Sequence, residues 1–326
     1  MSSSAHRILI TGAAGLVGSR LLQDLIENQP QCHIVATDIQ PTPPLAESDL
    51  PSHVVYKQCD IRSPDLAELI HQYQIETVVH LATVVTPPPG MDEQSMFDID
   101  VGGTGKLLEA CLQHGVDKII VTSSGAAYGY HADNDQPLTE ESPIRGNDIF
   151  PYARHKRLVE EMLAQYRQTH PELKQLIFRP GTILGPGFSN QITDLFEKPR
   201  MLGIKGYDSP FVIMHVDDVV ACLIEGVISD KTGIYNLAGD GTLSSRQIAG
   251  LLGNPYLPLP AGLVKTALRV LKPLGLSQYG PEQTMFLQYR PVLSNDRLKT
   301  EFGYQPRYTT IEAFKVWAQS KGLVTE

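Results

Sequence analysis

The sequence predicts an α/β protein built on a doubly wound parallel sheet with a smaller C-terminal lobe, and three observations carry that reading. Short β-branched runs alternate with helix-periodic stretches through the first half, and a glycine-rich turn joins the first run to the first helix. After Pro180 the alternation gives way to shorter segments divided by Gly- and Pro-rich joints. At 326 residues the chain has room for two folding units, at about 150 residues each. Hydrophobic residues at 42% and charged residues at 19% exclude a disordered chain or a coiled coil. A net charge of −9 supplies no global attraction to nucleic acid, although a local basic patch remains compatible with it.

The strand-like runs are Arg7–Thr11, His33–Asp38, Val54–Asp60, Thr77–Ala82, Lys118–Ser124 and Gln175–Arg179. Between them Leu16–Glu27, Asp65–Tyr73, Gly105–His114 and Tyr152–Thr169 carry apolar residues at helical spacing, as crossover helices must to cover a parallel sheet. Gly185-Pro186-Gly187 and Leu257-Pro258-Leu259-Pro260 separate the later elements. The expected division is residues 1–180 as the cofactor-binding domain and 181–326 as mainly a substrate lobe, with 211–238 returning to the sheet. Cys32, Cys59, Cys111 and Cys222 are scattered without CxxC or Cys/His spacing, so reduced thiols are expected rather than a disulfide framework or a zinc site. No segment approaches the roughly 20 apolar residues of a membrane span, and the N-terminus lacks a signal-like apolar stretch, so a cytoplasmic protein is expected.

Ile8-Leu9-Ile10-Thr11-Gly12-Ala13-Ala14-Gly15-Leu16-Val17-Gly18 places a TGxxGxxG pattern between an apolar strand and an apolar helix. Gly12 suits the tight turn, Gly15 lets backbone amides approach a pyrophosphate at the helix N-terminus, and Gly18 lets the helix pack on the sheet. Gly12, Ala14, Gly15, Leu16 and Val17 are the expected contacts of this Rossmann-type loop. Asp38 ends the second strand, where a carboxylate accepts both hydroxyls of an adenosine ribose and repels a 2′-phosphate, and no Arg follows it. The expected cofactor is therefore NAD rather than NADP. Asp60 and Ile61 are placed to contact adenine, and Leu81, Ala82 and Thr83 to lie against the phosphates.

Tyr152 and Lys156 stand four apart at the start of a helix and so share a face. Ser124 and Thr122 stand at the end of the fifth strand, on the edge where an open parallel sheet binds its ligands. A tyrosine with its ordinary pKa of about 10 is a poor base at neutral pH and needs nearby positive charge, which Lys156 and an oxidised nicotinamide supply. The spacing thus points to acid–base chemistry coupled to hydride transfer, with Tyr152 exchanging a hydroxyl proton, Ser124 holding the same oxygen and Lys156 anchoring the ribose.

These motifs resemble the extended short-chain dehydrogenase/reductase superfamily, in its NAD-dependent epimerase/dehydratase group, over essentially the whole chain. The resemblance rests on TGAAGLVG, Asp38, Asp60-Ile61, HLAT at 80–83, TSSGAAYG at 122–129, YARHK at 152–156, RPGTILGPG at 179–187 and HVDD at 215–218. It implies that Ser124, Tyr152 and Lys156 are catalytic, that Tyr152 and Lys156 also contact the cofactor, and that Pro180, Gly181 and Ile183 flank the nicotinamide. It also implies a homodimer, and a structural role for His215. The remaining histidines offer no metal constellation.

Several positions depart from the pattern. Asp100 stands where many relatives carry Asn, so it either alters hydrogen bonding near the site or caps locally. Gly125-Ala126 occupies the place of the acidic pair that dehydratases of this type use to eliminate water, which argues against dehydration. Arg179-Pro180-Gly181 lacks an Asn that nucleotide-sugar epimerases tend to have, leaving Arg200, Lys205 and Arg290 as possible phosphate ligands. Ala261–Leu276 reads as a basic amphipathic helix, packed on the second lobe or free to act as a lid or at a membrane surface. The leading function is hydride transfer at a secondary alcohol or ketone in an epimerase-type reaction on a sugar or nucleotide sugar. A dehydrogenase or reductase of a non-nucleotide substrate, and a non-enzymatic NAD-binding regulator, are the alternatives.

Overall fold

Runs rich in β-branched residues form strands here because both faces of the central sheet are covered, and exposed side chains in β2, β3 and β6 stand only at strand ends. The computed structural model describes residues 6–135, 137–276 and 280–324. In chain order its strands are β1 (Arg7–Thr11), β2 (His33–Asp38), β3 (Val54–Gln58), β4 (Thr77–His80), β5 (Lys118–Thr122), β6 (Lys174–Pro180), β7 (Thr182–Leu184), β8 (Met201–Ile204), β9 (Ile213–His215), β10 (Gly233–Leu237) and β11 (Tyr256–Leu259). Its helices are α1 (Leu16–Asn28), α2 (Asp65–Gln72), α3 (Glu93–Phe97), α4 (Thr104–Gln113), α5 (Pro151–Thr169), α6 (Thr193–Phe196), α7 (Val216–Ile228), α8 (Ser245–Leu251), α9 (Ala261–Leu271), α10 (Gln283–Gln288) and α11 (Thr310–Ser320). The segment Asp98–Gly103, between α3 and α4, is π-helical.

Two compact units result. The first takes the chain up to Ser124, then His155–Arg179 and Val216–Tyr235; the second takes Gly125–Arg154, Pro180–His215 and the chain from Asn236 onward. A boundary at residue 180 does not describe this division. After β5 the chain leaves the sheet through a 3₁₀ turn, Gly125–Tyr128, and its interactions lie in the second unit. There the buried Tyr128 hydroxyl donates to Asn236 Oδ1 at 2.8 Å, and Leu138 bridges to Leu293. Of the expected return over 211–238, the part in the first unit is Val216–Tyr235.

The first unit is organised on a seven-stranded sheet of order β10-β6-β5-β4-β1-β2-β3, with parallel pairing from β3 through β6. The order reverses between β1 and β4, the switch point where sheets of this class bind ligands beyond their strand ends. Leu9, Val35, Val78, Ile119, Val121 and Ile177 form one buried face with Leu66 and Ile70 of α2, Leu107 and Cys111 of α4, and Val159 and Leu163 of α5. Register follows from that face: Leu9 pairs with Val35 and Val78, and Val121 with Ile177. Helix α7 packs beside α1 and against the sheet, its Gly226 leaving room for Leu176, whose Cδ2 would lie 2.6 Å from an added Cβ.

The second unit holds two short parallel pairs, β7 with β9 and β8 with β11. Its core is aromatic: Phe196 meets Phe211, Phe314 and Trp317 edge-on at 5.2, 5.5 and 5.5 Å. The Trp317 indole N–H donates to the Phe188 carbonyl, satisfying the one polar atom that ring buries. Capping boxes at Ser244–Gln247 and Thr309–Glu312 start α8 and α11.

One buried contact stands apart from this apolar packing. Arg179 of β6 forms a two-pronged pair with Glu160 of α5, at 2.8 Å from Nε to Oε1 and 2.6 Å from the terminal nitrogen to Oε2, with both side chains only 4% exposed. The Ser123 hydroxyl also donates to Glu160, at 2.6 Å. Removing one member leaves an uncompensated buried charge, so Arg179→Met should lower the unfolding free energy by about 3–5 kcal/mol. The double replacement Glu160→Met, Arg179→Met should recover most of the loss. Urea unfolding followed by circular dichroism checks both, and equal losses in the single and double variants would contradict the argument.

Candidate active site

The glycine loop sits where only glycine fits. Gly12 has a φ of 72°, and a Cβ there would lie 2.7 Å from the backbone nitrogen of Ala82, so the loop rests directly on the chain leaving β4. A Cβ on Gly18, in the first turn of α1, would stand 2.2 Å from the Gly12 carbonyl oxygen. Helix α1 begins at Leu16 after Gly15, with no side chain capping its first amides, which leaves those donors for an anion. Asp38, at the end of β2, accepts from the Ala14 N–H at 3.0 Å and the Gln40 N–H at 3.1 Å. A carboxylate offers about four acceptor sites, so capacity for ribose hydroxyls remains. At the end of β5 the Thr122 hydroxyl is buried with no hydrogen-bond partner among the described residues. An uncapped helix start, a held carboxylate and an orphaned hydroxyl along one sheet edge suit a dinucleotide.

The other expected cofactor contacts divide by environment. Asp60 is held by Arg62, whose hydrogen bonds keep its carboxyl below the usual range, with a terminal nitrogen 2.6 Å from Oδ2. Ile61 is buried in the sheet's core cluster, so its side chain serves packing. Leu81, Ala82 and Thr83 are half-buried beside the glycine loop. Leu16 is exposed and Val17 half-buried. Pro180, Gly181 and Ile183 lie in the second unit, where the Gly181 N–H donates to the Leu237 carbonyl and a Cβ would meet the Val212 oxygen at 2.8 Å.

Ser124 follows β5, and Tyr152 and Lys156 lie one turn apart on α5. Tyr152 packs in the second unit against the buried cluster of Ala126, Phe150 and Ala153, on which Tyr130, Met285 and Phe286 also pack. Lys156 is buried and donates from Nζ to the Thr122 carbonyl at 3.1 Å, which ties α5 to the strand that precedes Ser124. Burial pushes the Lys156 ammonium below its ordinary pKa, while the carboxylates of Asp100 and Glu160 oppose that shift.

Asp100 is not a local cap. It is 3% exposed; its Oδ1 accepts from the Thr83 hydroxyl at 2.9 Å and the Val84 N–H at 2.8 Å, and its Oδ2 lies 2.9 Å from His155 Nδ1. His155, unassigned from the sequence, is 1% exposed and stands edge-on to Phe97 at 5.6 Å. A signal was present. Positions 152, 155, 156, 159, 160 and 163 form one helical stripe, and finding His, Lys and Glu among Val and Leu there marks buried charge.

A second buried chain fixes a tautomer. The Thr104 hydroxyl donates to the Asp100 carbonyl at 2.5 Å, so it accepts from His80 Nε2 at 3.0 Å, and His80 Nδ1 accepts from the Thr11 hydroxyl at 2.7 Å. In the neutral ring that burial favours, the proton is therefore on Nε2. Burial, helped by the Lys156 charge and opposed by Asp100, pulls its pKa down to about 3.

In the second unit Arg290 differs from Arg200 and Lys205, which are exposed. Arg290 is buried between the Phe211 and Phe286 rings, at 3.6 and 4.0 Å, and its Nε donates to the Ser209 hydroxyl at 2.9 Å. Burial draws its pKa down to about 9. His215 is buried against Tyr308, with ring centroids 4.3 Å apart. Helix α9 buries Val264 and leaves Leu263 57% and Val270 53% exposed, a shallower packing than its pattern suggested. Among the described residues no helix is long and apolar enough to cross a membrane, and no cluster of three metal-binding side chains occurs.

Residues 8–238 match the model of the NAD dependent epimerase/dehydratase family. The chain belongs to this family. Members similar in sequence include an uncharacterized protein of Mycobacterium tuberculosis, 25% identical over 318 residues that cover 97% of this chain and 84% of that one. The UDP-glucose 4-epimerase of Azospirillum brasilense is 28% identical over 186 residues, covering 56% of this chain and 51% of that protein. Among solved structures, the Thermotoga maritima UDP-glucose 4-epimerase with UDP-glucose is similar at a TM-score of 0.73 and 19% identity, covering 97% of this chain and 98% of that one. The Thermus thermophilus UDP-glucose 4-epimerase complex with NAD is similar at 0.72 and 22%, covering 98% and 100%. At those identities the structural likeness speaks for the fold. As a member of an NAD-dependent enzyme family with a loop that suits the dinucleotide, the protein is an NAD-dependent enzyme of the extended short-chain dehydrogenase/reductase type.

The depressed pKa of His80 has a measurable consequence. Below pH 6.5 the unfolded chain protonates this histidine while the folded chain does not until about pH 3, so folding stability should fall on acidification across that window. His80→Gln should reduce the slope of unfolding free energy against pH by up to about 1.4 kcal/mol per pH unit between pH 6 and 4. Urea unfolding of both proteins at several pH values tests this, and an unchanged slope would contradict a neutral buried His80.

Proposed function

We propose that the protein epimerises a sugar or nucleotide sugar at a secondary alcohol, with Ser124, Tyr152 and Lys156 as its reacting and orienting side chains. The observation that carries this reading is α5, which places Tyr152 one turn from a buried Lys156 whose ammonium is bonded to the end of the strand before Ser124. When bound, NAD supplies the hydride acceptor and donor. Its pyrophosphate belongs at the Gly12–Gly18 loop, with Gly12, Ala14, Gly15, Leu16 and Val17 as contacts and the adenosine ribose on Asp38. Asp60 and Ile61 are assigned to the adenine end, Leu81, Ala82, Thr83 and Thr122 to the chain along the sheet edge, and Pro180, Gly181 and Ile183 to the nicotinamide end.

Tyr152 takes the proton of the substrate hydroxyl and returns it, and Ser124 holds the same oxygen by a hydrogen bond. Lys156 keeps positive charge next to the phenol on the helix and so favours its ionised form. In an epimerase the ketone stays bound, turns and recovers hydride on its other face. Arg290, the buried cation of the second unit, is the candidate ligand for a substrate phosphate. The UDP-glucose 4-epimerases similar to this chain support a nucleotide sugar as substrate.

One observation favours a second reading, net oxidation or reduction of a less polar alcohol. Tyr152 packs on the apolar cluster of Ala126, Phe150 and Ala153, and Arg179-Pro180-Gly181 lacks the Asn that nucleotide-sugar epimerases tend to carry. Isotope tracing separates the two. With UDP- and dTDP-hexoses deuterated at the reacting carbon, the label should stay in the epimerised product even with excess unlabelled NADH in solution. Growth of free NADH with an alcohol and no epimerised sugar would promote the second reading.

Loss of the phenol alone should be decisive for the acid–base role. Tyr152→Phe is expected to lower turnover at least about a hundredfold while leaving NAD affinity, measured by calorimetry, within a few-fold. A variant that keeps most of the wild-type rate would refute the assignment.

A further inference from the structure

Helix α9, with Lys272 at its C-terminal cap, carries three stripes, each built on spacings of four and then three residues. Val264, Leu268 and Leu271 form the packed stripe, with Val264 buried and the other two half-buried. Leu263, Ala267 and Val270 flank it on one side and Lys265, Arg269 and Lys272 on the other, and all six are exposed. A helix that only covers its own lobe gains nothing from a second apolar stripe, because leaving that stripe in water forgoes its burial. The apolar exposure continues past the helix, where Leu274 is 65% and Leu276 72% exposed. With Leu257 on β11, five of the twelve exposed large apolar side chains among the described residues fall between positions 257 and 276.

The charge of this region runs against that of the chain. Residues 241–281 hold Arg246, Lys265, Arg269 and Lys272 and not one Asp or Glu, within a chain of net charge −9. Lys272 pairs with Glu282 at 3.2 Å, but Lys265 and Arg269 form no ion pair among the described residues. A helix that is apolar on one side and basic on the other complements a surface with hydrocarbon below and negative charge above, which is what an anionic bilayer offers. Lying in the headgroup plane, α9 would turn Leu263, Ala267 and Val270 toward the acyl chains and leave the Lys and Arg heads among the phosphates. A second copy of the chain suits this face less well. One ridge of aliphatic side chains falls short of the roughly 800 Å² per partner that a stable interface buries.

We propose that α9 and the turn after it, through Leu276, form a docking surface for anionic phospholipid, by which the second unit attaches peripherally and reversibly to a membrane. The exposed aliphatic stripe supplies the insertion and the basic stripe supplies the preference for negative headgroups. The contact uses none of the residues assigned to the cofactor or to the reacting centre.

The test is co-sedimentation of the full-length protein with vesicles of phosphatidylcholine alone and of phosphatidylcholine with phosphatidylglycerol at about two to one. The protein should pellet with the mixed vesicles and bind the neutral ones at least about tenfold more weakly, although its net charge of −9 opposes the former. Lys265→Gln with Arg269→Gln should weaken binding to the mixed vesicles about twenty- to thirtyfold, since each basic side chain near such a surface is worth about fivefold. Leu263→Gln with Val270→Gln removes the aliphatic contact and keeps the charge, and should weaken binding at least about tenfold. All four positions are exposed, so neither double variant disturbs the core, and each decides by itself. Failure to pellet with the mixed vesicles, equal binding to both compositions, or a double variant that binds as the wild type does overturns the proposal. So does a dimer in sedimentation equilibrium that Leu263→Gln with Val270→Gln abolishes while vesicles of neither composition bind, because a second copy then covers this face. Turnover of a sugar enters none of these readings, so their outcome is separate from that of the substrate assignment.

Discussion

Burying ionisable groups along one face of a helix is costly, and the first unit is arranged around meeting that cost on α5. An unpaired charge in a protein interior is penalised by several kcal/mol, so each of His155, Lys156 and Glu160 needs a partner fixed on a different element. Glu160 takes Arg179 from β6 and the Ser123 hydroxyl; Lys156 takes the Thr122 carbonyl from β5; His155 takes Asp100 from the π-helical segment. Apolar contacts between a helix and a sheet tolerate small slides, whereas these directional pairs do not. They set the position of the His155–Thr169 part of α5 relative to β5 and β6.

The cofactor half of the site depends on a different principle, the removal of side chains. Gly12 and Gly18 let three stretches of backbone come together, so the first amides of α1 point past the strand ends with nothing to cap them. His80 sits beneath this meeting point as a neutral bridge between Thr11 and Thr104, and adds rigidity without adding charge. A preorganised arrangement of this kind spends little free energy reordering itself when an anion arrives.

The sheet and its crossover helices were legible because they obey local rules. β1 and β2 have the predicted ends, and α1, α2, α4 and α5 differ by one residue at most termini, since periodicity and flanking glycines act over a few residues. The glycine loop and the YxxxK spacing were legible for the same reason. Asp100 with His155, and Glu160 with Arg179, were not assigned because each pair joins residues far apart in the chain, 55 positions in the first case and 19 in the second. The short pairs β7–β9 and β8–β11 escaped notice because three- and four-residue strands carry too little alternation to stand out. The placement of Gly125–Arg154 with the second unit depends on tertiary contacts such as Tyr128 with Asn236, 108 positions apart.

The way the chain alternates between its two units bears on how the protein is made. Neither unit is a continuous stretch: the sheet-bearing one draws on Val216–Tyr235, and the other begins as early as Gly125. A nascent chain leaving the ribosome therefore cannot finish the first unit before Tyr235 has been made, and until β10 is made the outer edge of β6 lacks its neighbour. Open strand edges of this kind pair readily with the wrong partner, and contacts of large sequence separation form slowly. The growing polypeptide thus carries an open strand edge from the making of β6 to that of β10, an interval in which a holding chaperone has something definite to cover.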